Sequence, residues 1–399
     1  MINASISGKS TSHAESELVR QANNLIPALQ RNAGQCEYNR QLVDENLELV
    51  QSAGLFRMTS PKRYGGLETD LPTQVRVLAA LGKGCASTAW VNSVFSVTSW
   101  FVGLFDDMAQ DEVFEAPDAR VAGVLSPHGH LVPVTGGYRL TGRWPFNTGC
   151  LHADWDMLAG QVDSDNASQS TLLALVPIRD LEIVRDWNPS GLAGTGSNTV
   201  VAEDVFVPLH RTLPVEAASR GEYQSESNRT STLYKCAFFP FVLANSTGAP
   251  LGIARGAMEA FLKRLPGRGI TYTGYAVQAE APVTHLNLAE AAVAIKSAEL
   301  LSWHAARTVW STAEERAELS EAQRAALRCE VAQVVRLSRQ ATQILNSISG
   351  ASSIQQNIPI QRITRDMQAL SLHAMLEINT NLELYGRTIA GLNAGTPFL

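Results

Sequence analysis

The amino-acid sequence predicts an α+β fold with a helical N-terminal unit, a small central β-barrel or sandwich, and a C-terminal four-helix bundle. Apolar residues recur at helical spacing in the first part of the chain, short alternating segments between Gly, Pro and Asp turns follow, and long helical segments complete it. We therefore expect three units, spanning residues 1–119, 120–233 and 234–399.

The composition is that of an ordinary globular protein and argues against several functional classes. The chain has 399 residues, of which 45% are hydrophobic and 18% charged, and its net charge is −6. Positive residues are scattered, so no nucleic-acid partner is expected, and no apolar run is long enough to predict a membrane span. The serine-rich start of the chain, residues 1–17, lacks the apolar segment of a secretory signal. Five isolated cysteines predict no metal site and a reduced, cytoplasmic setting.

Helices dominate the first unit. Apolar residues at helical spacing cover 15–53, and a proline at the first turn begins a further helix at 72–82. The stretch 87–105 is apolar, rich in Trp and Ser, and long enough to form a buried helix. The period then changes at about residue 120. Short strands are predicted at 120–125, 138–141, 156–161, 171–176, 181–184, 199–207 and 211–215.

The last unit reads as long helices at 238–265, 285–312, 320–349 and 360–392, which together predict a bundle. The fourth of these begins at Pro359 and carries Arg362, Arg365 and Asp366 in its first turns. His373 follows Asp366 by about two helical turns, so both side chains are expected on one face. A histidine on such a face is either a satisfied core residue or a functional group, and this stretch alone leaves both open.

The segment 142–155 is the most distinctive part of the β-unit. Trp144 and Phe146 offer a flat apolar surface, and the sequence Asn-Thr-Gly at 147–149 adds the Thr148 hydroxyl and a glycine that permits close backbone approach. A planar heteroaromatic cofactor requires such an apolar wall together with a few hydrogen bonds to its edge. Taken alone, however, the segment is better interpreted as a core strand followed by an ordinary turn.

Several segments, in consistent order along nearly the whole chain, resemble the acyl-CoA dehydrogenase fold, and in particular the two-component flavin-dependent aromatic hydroxylases built on it. The matching segments are GCASTAW at 84–90, GGYRLTGRW at 136–144 continuing to Trp155, GTGS at 194–197, DVFVP at 204–208, SGASSI at 349–354, and the stretch with Arg362, Arg365, Asp366 and His373. The resemblance implies an acyl-CoA dehydrogenase-like fold and a monooxygenase that receives reduced FMN or FAD from a separate reductase. Such an enzyme reacts the reduced flavin with O2 and hydroxylates an aromatic substrate through a flavin hydroperoxide.

The resemblance also implies roles for individual residues. Leu125 and Ser126 would lie near the pyrimidine side of the flavin, Thr148 near its central ring nitrogen, and Trp144, Phe146 and Gly149 beside it. The stretch with Ser349, Gly350, Ser352 and Ser353 would cradle the cofactor's phosphate at a subunit interface of a homotetramer. Substrate would meet Trp90, His128, His130 and His373, with His373 and Thr148 as the candidate catalytic residues.

Two other activities are compatible with the same resemblance. A FAD-dependent acyl-CoA dehydrogenase requires a base, and related dehydrogenases carry a catalytic glutamate close to the position where this chain has Ser-Leu-His-Ala at 371–374. Glu377 lies one turn later and is expected to face elsewhere. The absence of a carboxylate favours the monooxygenase, with an aromatic phenolic, polyketide or indolic substrate. An amino-sugar N-oxygenase on the same fold is the further alternative.

Overall fold

The structure is a computed structural model that describes residues 13–163, 170–396 and 398–399; most of the serine-rich start therefore lies outside the described residues. In the first unit the helices are α1 (His13–Asn39), α2 (Asp44–Ser52), α3 (Leu71–Gly84), α4 (Ala86–Val102) and α5 (Asp107–Val113). Asp70 begins α3 by accepting a hydrogen bond from Thr73 N at 2.9 Å, with a proline in the first turn. Almost every residue of α4 is buried, as its apolar composition predicts.

The central unit is one seven-stranded mixed sheet. Its strands are β1 (Val121–Val134), β2 (Gly137–Asn147), β3 (Trp155–Val162), β4 (Thr171–Pro177), β5 (Glu182–Val184), β6 (Asn198–Pro208) and β7 (Thr212–Pro214), followed by the short helix α6 (Val215–Ser219). The order is β5-β6-β2-β1-β3-β4-β7, and β1 runs parallel to β3 while the other pairs are antiparallel. The predicted β-unit is thus present, but as an open sheet rather than a closed barrel. Its two edge strands are only three residues long and do not pair with each other.

The C-terminal unit contains α7 (Phe238–Ser246), α8 (Gly248–Arg264), α9 (Pro282–Glu315), α10 (Glu321–Ser347), α11 (Pro359–Leu370) and α12 (Ile378–Ile389). The first three helices of the bundle are α8, α9 and α10, and α11 and α12 together take the place of the fourth. The continuous helix predicted at 360–392 is therefore wrong. The chain leaves the helix after Leu370 and returns to it at Ile378, so Asp366 and His373 do not share a helix face.

One cluster of buried apolar residues reaches all three units. Trp100 and Phe101 of α4 pack with Phe238 and Phe241 of α7, and the rings of Trp100 and Phe241 stack with centroids 4.2 Å apart. The same cluster of buried residues continues into the sheet and into α11. This core fixes α4 against both the sheet and the bundle, and the cavity described next lies between these layers. Within the described ranges, no helix is long and apolar enough to cross a membrane.

Candidate active site

A cavity of about 890 Å³ lies between α4, the sheet and the turn that follows α11. Most of its wall is apolar, and polar side chains line it from α4, the sheet, the loop at 186–192, and α11 with the turn after it. Of the residues predicted from the sequence, it brings together Trp90, Leu125, Ser126, His128, Phe146, Thr148 and His373. These residues come from all three units, so the cavity exists only when the units are assembled.

Thr148 supplies a buried hydroxyl on the sheet side of the cavity. It follows the end of β2 and is held there because Gly149 adopts a left-handed turn with φ of 77°, which glycine reaches without steric cost. Thr148 Oγ1 lies 2.9 Å from Ser197 Oγ, which in turn lies 2.7 Å from Thr195 Oγ1. Gly149 itself does not line the cavity, because its Cα position is packed against the ring of Phe95.

Trp144 and Phe146 do not form one wall as predicted. The β2–β6 pairing shifts register between Trp144 and Asn147, and Phe146 there has a positive φ of 61°. This irregularity reverses the alternation of the strand, so that Phe146 faces the cavity and contacts Trp187 edge-on at 5.9 Å. Trp144 stays in the core, where its indole packs over Gly129 and Gly142 and donates to Ala159 O at 2.7 Å.

A second irregularity places the β1 residues. The β1–β3 pairing is interrupted between Val124 and Gly129, so Leu125, Ser126 and His128 leave the ladder and line the cavity. His130 lies beyond the interruption. It is exposed, and its Nδ1 lies 3.2 Å from Asp163 Oδ1. His130 does not reach the cavity, so the expectation that it meets substrate is wrong.

His373 lies in the turn between α11 and α12, opposite the sheet. Its ring meets the edge of Trp90 with centroids 5.4 Å apart, and its Nδ1 accepts a hydrogen bond from Met375 N at 3.3 Å. The imidazole lines the cavity and keeps an exposed surface there, and desolvation by the protein packed around it lowers its pKa to about 4. A neutral imidazole whose Nδ1 accepts must carry its proton on Nε2, so His373 presents a hydrogen-bond donor at neutral pH.

The turn itself is held by Asn381, the fourth residue of α12. Its amide donates to Met375 O at 3.2 Å and to Glu377 O at 2.6 Å, while Arg328 of α10 donates to its Oδ1 at 2.6 Å. These bonds satisfy carbonyl groups that a continuous helix would have used internally. His373 is therefore positioned by packing from the bundle and does not depend on helix propensity.

Carboxylates are nearly absent from the cavity. Of the described residues that line it, Asp186 is the one acidic residue, and it accepts hydrogen bonds from Thr199 N at 2.9 Å and Thr199 Oγ1 at 2.6 Å. Glu377 caps α12 by accepting from Thr380 N at 2.8 Å and does not face the cavity. Asp366 also points elsewhere, as its Oδ1 accepts from Leu192 N at 2.6 Å. In the part of the chain that the structure describes, the cavity therefore contains no carboxylate without hydrogen-bond donors of its own.

Asp366 fastens α11 to the loop that carries Thr195 and Ser197. Its carboxyl group is buried, and burial raises its pKa to about 7. Arg365 reinforces the contact by donating to Ser190 O at 2.7 Å and pairing with Glu37 of α1. Asp366 and Arg365 together hold α11 against this loop and against α1.

This buried carboxyl group predicts a pH-dependent stability. The pKa of this carboxyl group is about 7 in the folded chain and about 3.9 in the unfolded chain. Its contribution to the free energy of unfolding is therefore largest at low pH and is lost as the pH rises through 7. Because of this group, we expect the free energy of unfolding to fall by about 1 kcal/mol between pH 6 and pH 8. Asp366→Asn should remove that fall while keeping an oxygen that accepts from Leu192 N. Urea unfolding of both proteins at the two pH values measures the difference. An equal pH dependence in both would contradict the assignment.

The predicted phosphate cradle lies outside the cavity, at the end of α10. Gly350 has a positive φ of 68° and begins a short 3-10 turn, Ala351–Ile354. Two arginines approach it: Arg264 donates to Ser352 Oγ at 3.0 Å, and Arg268 donates to Ser349 O at 2.6 Å. Ser349 and Ser353 are buried, whereas Ser352 is exposed. These residues form a basic surface, and none of them lines the cavity.

Sequence reasoning missed part of the cavity. The loop at 186–192, with Trp187, covers one side of the mouth, and Leu243 of α7 and Gln368 of α11 also contribute. Trp187 stands in a turn-rich Asp-Trp-Asn-Pro-Ser stretch, and an aromatic residue in such a turn was the available signal. Leu243 gave no signal, because any apolar helix in a core has the same pattern, and Gln368 gave none, because a polar residue on an amphipathic helix is ordinarily exposed.

Comparisons with known proteins agree with this architecture. Residues 17–112 match the acyl-CoA dehydrogenase N-terminal domain and residues 246–378 match the acyl-CoA dehydrogenase C-terminal domain. The chain is 31% identical to the flavin-dependent monooxygenase, oxygenase subunit HsaA, of Rhodococcus jostii, over 92% of this chain and 97% of that protein. It is 32% identical to the FADH2-dependent resorcinol hydroxylase, oxygenase component, of a Rhizobium species, over 90% of each.

Among solved structures, XiaF from a Streptomyces species in complex with FADH2 and glycerol superposes with a TM-score of 0.91. It shares 31% identity, and the match covers 97% of this chain and 98% of that one. These matches extend over at least 90% of both chains, so they cover all three units of the fold. The chain belongs to the oxygenase components of flavin-dependent monooxygenases built on the acyl-CoA dehydrogenase fold.

Proposed function

We propose that the chain hydroxylates an aromatic small molecule with O2, using reduced FMN or FAD delivered by diffusion from a separate reductase. The observation that carries this proposal is the cavity itself, in which the Thr148 hydroxyl and the His373 imidazole face a common apolar space from opposite sides. Among the described residues that line the cavity, no carboxylate is unpaired, which argues against the acyl-CoA dehydrogenase alternative, whose chemistry needs a base at the substrate α-carbon.

The residues on the sheet side fit a flavin. Phe146 offers an aromatic face, Thr148 a hydroxyl, and the irregular segment at 125–126 a run of backbone and side-chain polar groups released from strand pairing. The volume of about 890 Å³ leaves room for a planar ring system and a second aromatic molecule. When bound, the reduced flavin supplies the activation of O2 and the transfer of one oxygen atom. The protein's task is to hold the ring, exclude water and place hydrogen-bonding groups.

The opposite side is the proposed substrate side. Trp90 presents an indole edge and holds the His373 ring, while His128 reaches the cavity from β1. Because its pKa is about 4, neutral His373 is better suited to donating a hydrogen bond through Nε2 than to removing a proton. We therefore assign His373 the donor role toward the reacting oxygen or the substrate's polar group.

A turnover assay tests the function. Purified protein, a generic flavin reductase with NADH, and either FMN or FAD are supplied with phenols, resorcinols, indoles and polycyclic quinols. The proposal expects a product heavier by one oxygen atom, with the label coming from 18O2. If reduced flavin binds but acyl-CoA is oxidised and no aromatic compound is oxygenated, the dehydrogenase alternative is correct.

A homotetramer is proposed from exposed apolar stripes on the bundle. Leu286, Val293 and Leu300 follow one another at seven-residue spacing along α9 and are exposed, as are Leu382 and Ile389 at the same spacing on α12. Contact between bundles would bring the basic surface at 349–353 toward another subunit, where it could hold a flavin phosphate. The free state of all five cysteines supports placing the protein in the reducing cytoplasm.

The stripe on α9 gives a testable oligomeric state. Leu286→Glu combined with Val293→Glu places two charges in the proposed contact, and we expect the mass in solution to fall from four subunits to two or one. Analytical ultracentrifugation measures the mass. Tyr38→Glu, which alters an exposed apolar side chain on α1, is the matched control and should leave the mass unchanged. Retention of the full mass by the double variant would remove α9 from the interface.

A further inference from the structure

The hydroxyl groups of Thr148, Ser197 and Thr195 form a row of hydrogen bonds from the cavity to the carbonyl of Leu192. The bond to this carbonyl fixes the direction in which each hydroxyl donates. Thr195 Oγ1 donates to Leu192 O at 2.8 Å, lies 2.7 Å from Ser197 Oγ, and Ser197 Oγ lies 2.9 Å from Thr148 Oγ1. A hydroxyl has one proton to donate, and a carbonyl oxygen can only accept. For all three contacts to be hydrogen bonds, the proton of Thr195 must point to Leu192 O.

The remaining directions follow from this commitment. Ser197 must donate to Thr195, and Thr148 must donate to Ser197, because each neighbour has no second proton to offer. The Thr148 oxygen then turns lone pairs, and not its proton, toward the cavity. The exposed fractions of Thr148, Ser197 and Thr195 are 7%, 4% and 1%, so little water can compete for these bonds.

The Leu192 carbonyl, at which this row of hydroxyls ends, is held rigidly. Leu192 has a positive φ of 54°, an unusual backbone conformation for leucine, and its N–H is held by the Asp366 carboxyl at 2.6 Å. Its carbonyl also accepts from Thr195 N at 3.1 Å and from Trp187 Nε1 at 3.4 Å. The row of hydroxyls ends at the Leu192 carbonyl oxygen, which is not protonated at neutral pH. The row can therefore orient the proton of Thr148 but cannot carry a proton away from the cavity.

We infer that Thr195 and Ser197 are positioning residues that make the cavity selective for the reduced form of the flavin. The inference rests on the proposed function, in which Thr148 meets the central ring nitrogen. That nitrogen carries a proton in the reduced ring and only a lone pair in the oxidised ring. A Thr148 oxygen restricted to accepting therefore forms a hydrogen bond with the reduced ring and opposes a lone pair of the oxidised ring.

Thr195→Val tests the direction without touching Thr148. Valine keeps the shape of threonine and removes the hydroxyl, while Leu192 O retains its donors from the backbone N of residue 195 and from Trp187. Ser197 is then free to donate to Thr148, and the Thr148 proton turns into the cavity. We expect the ratio of the dissociation constants, oxidised over reduced flavin, to fall by about tenfold. Anaerobic titration with oxidised and dithionite-reduced FMN and FAD measures both constants.

Two further variants make the test specific. Thr212→Val removes an equally buried hydroxyl that also donates to a carbonyl three residues earlier, Leu209 O at 2.8 Å, but lies outside the cavity. Its ratio should equal that of the unmodified protein. Thr195→Ser keeps the donor and should restore the ratio, which also separates lost direction from lost folding.

The outcomes are distinguishable. An unchanged ratio in Thr195→Val, with or without weaker binding of both flavin forms, overturns the inference and leaves the proposed function intact. Failure of the unmodified protein to bind either flavin form overturns the proposed function itself. A lower ratio in Thr195→Val, with Thr195→Ser and Thr212→Val unaffected, establishes the hydroxyl chain as the source of the selectivity.

Discussion

His373→Ala is expected to lower the yield of hydroxylated product about 100-fold while the bound flavin continues to consume O2. The variant removes the Nε2 donor that faces the cavity and opens space beside Trp90. Without that donor and with water admitted, oxygen is expected to leave as hydrogen peroxide. Product and peroxide measured in the same reaction give the coupling ratio, which should fall sharply. His373→Gln, which keeps an N–H donor, should retain part of the coupling.

The pH dependence separates a donor from a base. Since its pKa is about 4, His373 is uncharged from about pH 5.5 to pH 8 and should support the same coupling throughout that range. A loss of coupling on acidification with a midpoint near pH 6.5 would contradict the donor assignment. His304→Ala, which alters an exposed histidine paired with Glu330, is the control and should leave the coupling ratio unchanged.

Thr148→Val has the second large expected effect. The change keeps the shape of the side chain and deletes the hydroxyl, so reduced flavin should bind about tenfold more weakly and more of the oxygen should leave as peroxide. Anaerobic titration and peroxide assay measure the two quantities. Because Thr148→Ser keeps the oxygen that Ser197 holds at 2.9 Å, it should retain binding. If Thr148→Val and Thr148→Ser bind reduced flavin equally, the hydroxyl does not contact the ring.

The order of elements could be predicted because each unit has a clear local period. Strands were expected at 156–161 and 171–176, and the structure has them at Trp155–Val162 and Thr171–Pro177. Closure of the sheet was not predictable from local periods, because it depends on whether edge strands of three residues meet across space. The break before α12 was also missed. No Gly or Pro marks it, and the Asn381 bonds that stabilise it involve Arg328 from another helix.

The site shows the same limit. Thr148 and Phe146 were located because their segment is distinctive in sequence and resembles a known family. Unbroken strand alternation through Pro145 predicts Trp144 and Phe146 on one face, whereas the register shift there turns Phe146 toward the cavity and leaves Trp144 in the core. Proline cannot donate to a strand ladder, so Pro145 was the local signal for that irregularity. The same reasoning separates His128 from His130, since the interruption of β1 lies between Val124 and Gly129.

The interruption between α11 and α12 has an evolutionary consequence. The seven residues from Ser371 to Glu377 present His373 to the cavity, yet the bundle is held by the helices on either side and by Asn381. Substitutions at Leu372 and Ala374, which are exposed and line the cavity, can therefore accumulate with little penalty to folding. Such substitutions would let a lineage change the aromatic compound that it accepts while α4 and the flavin side stay constant. Libraries randomised at Leu372, Ala374 and Met375 would sample the same route in the laboratory.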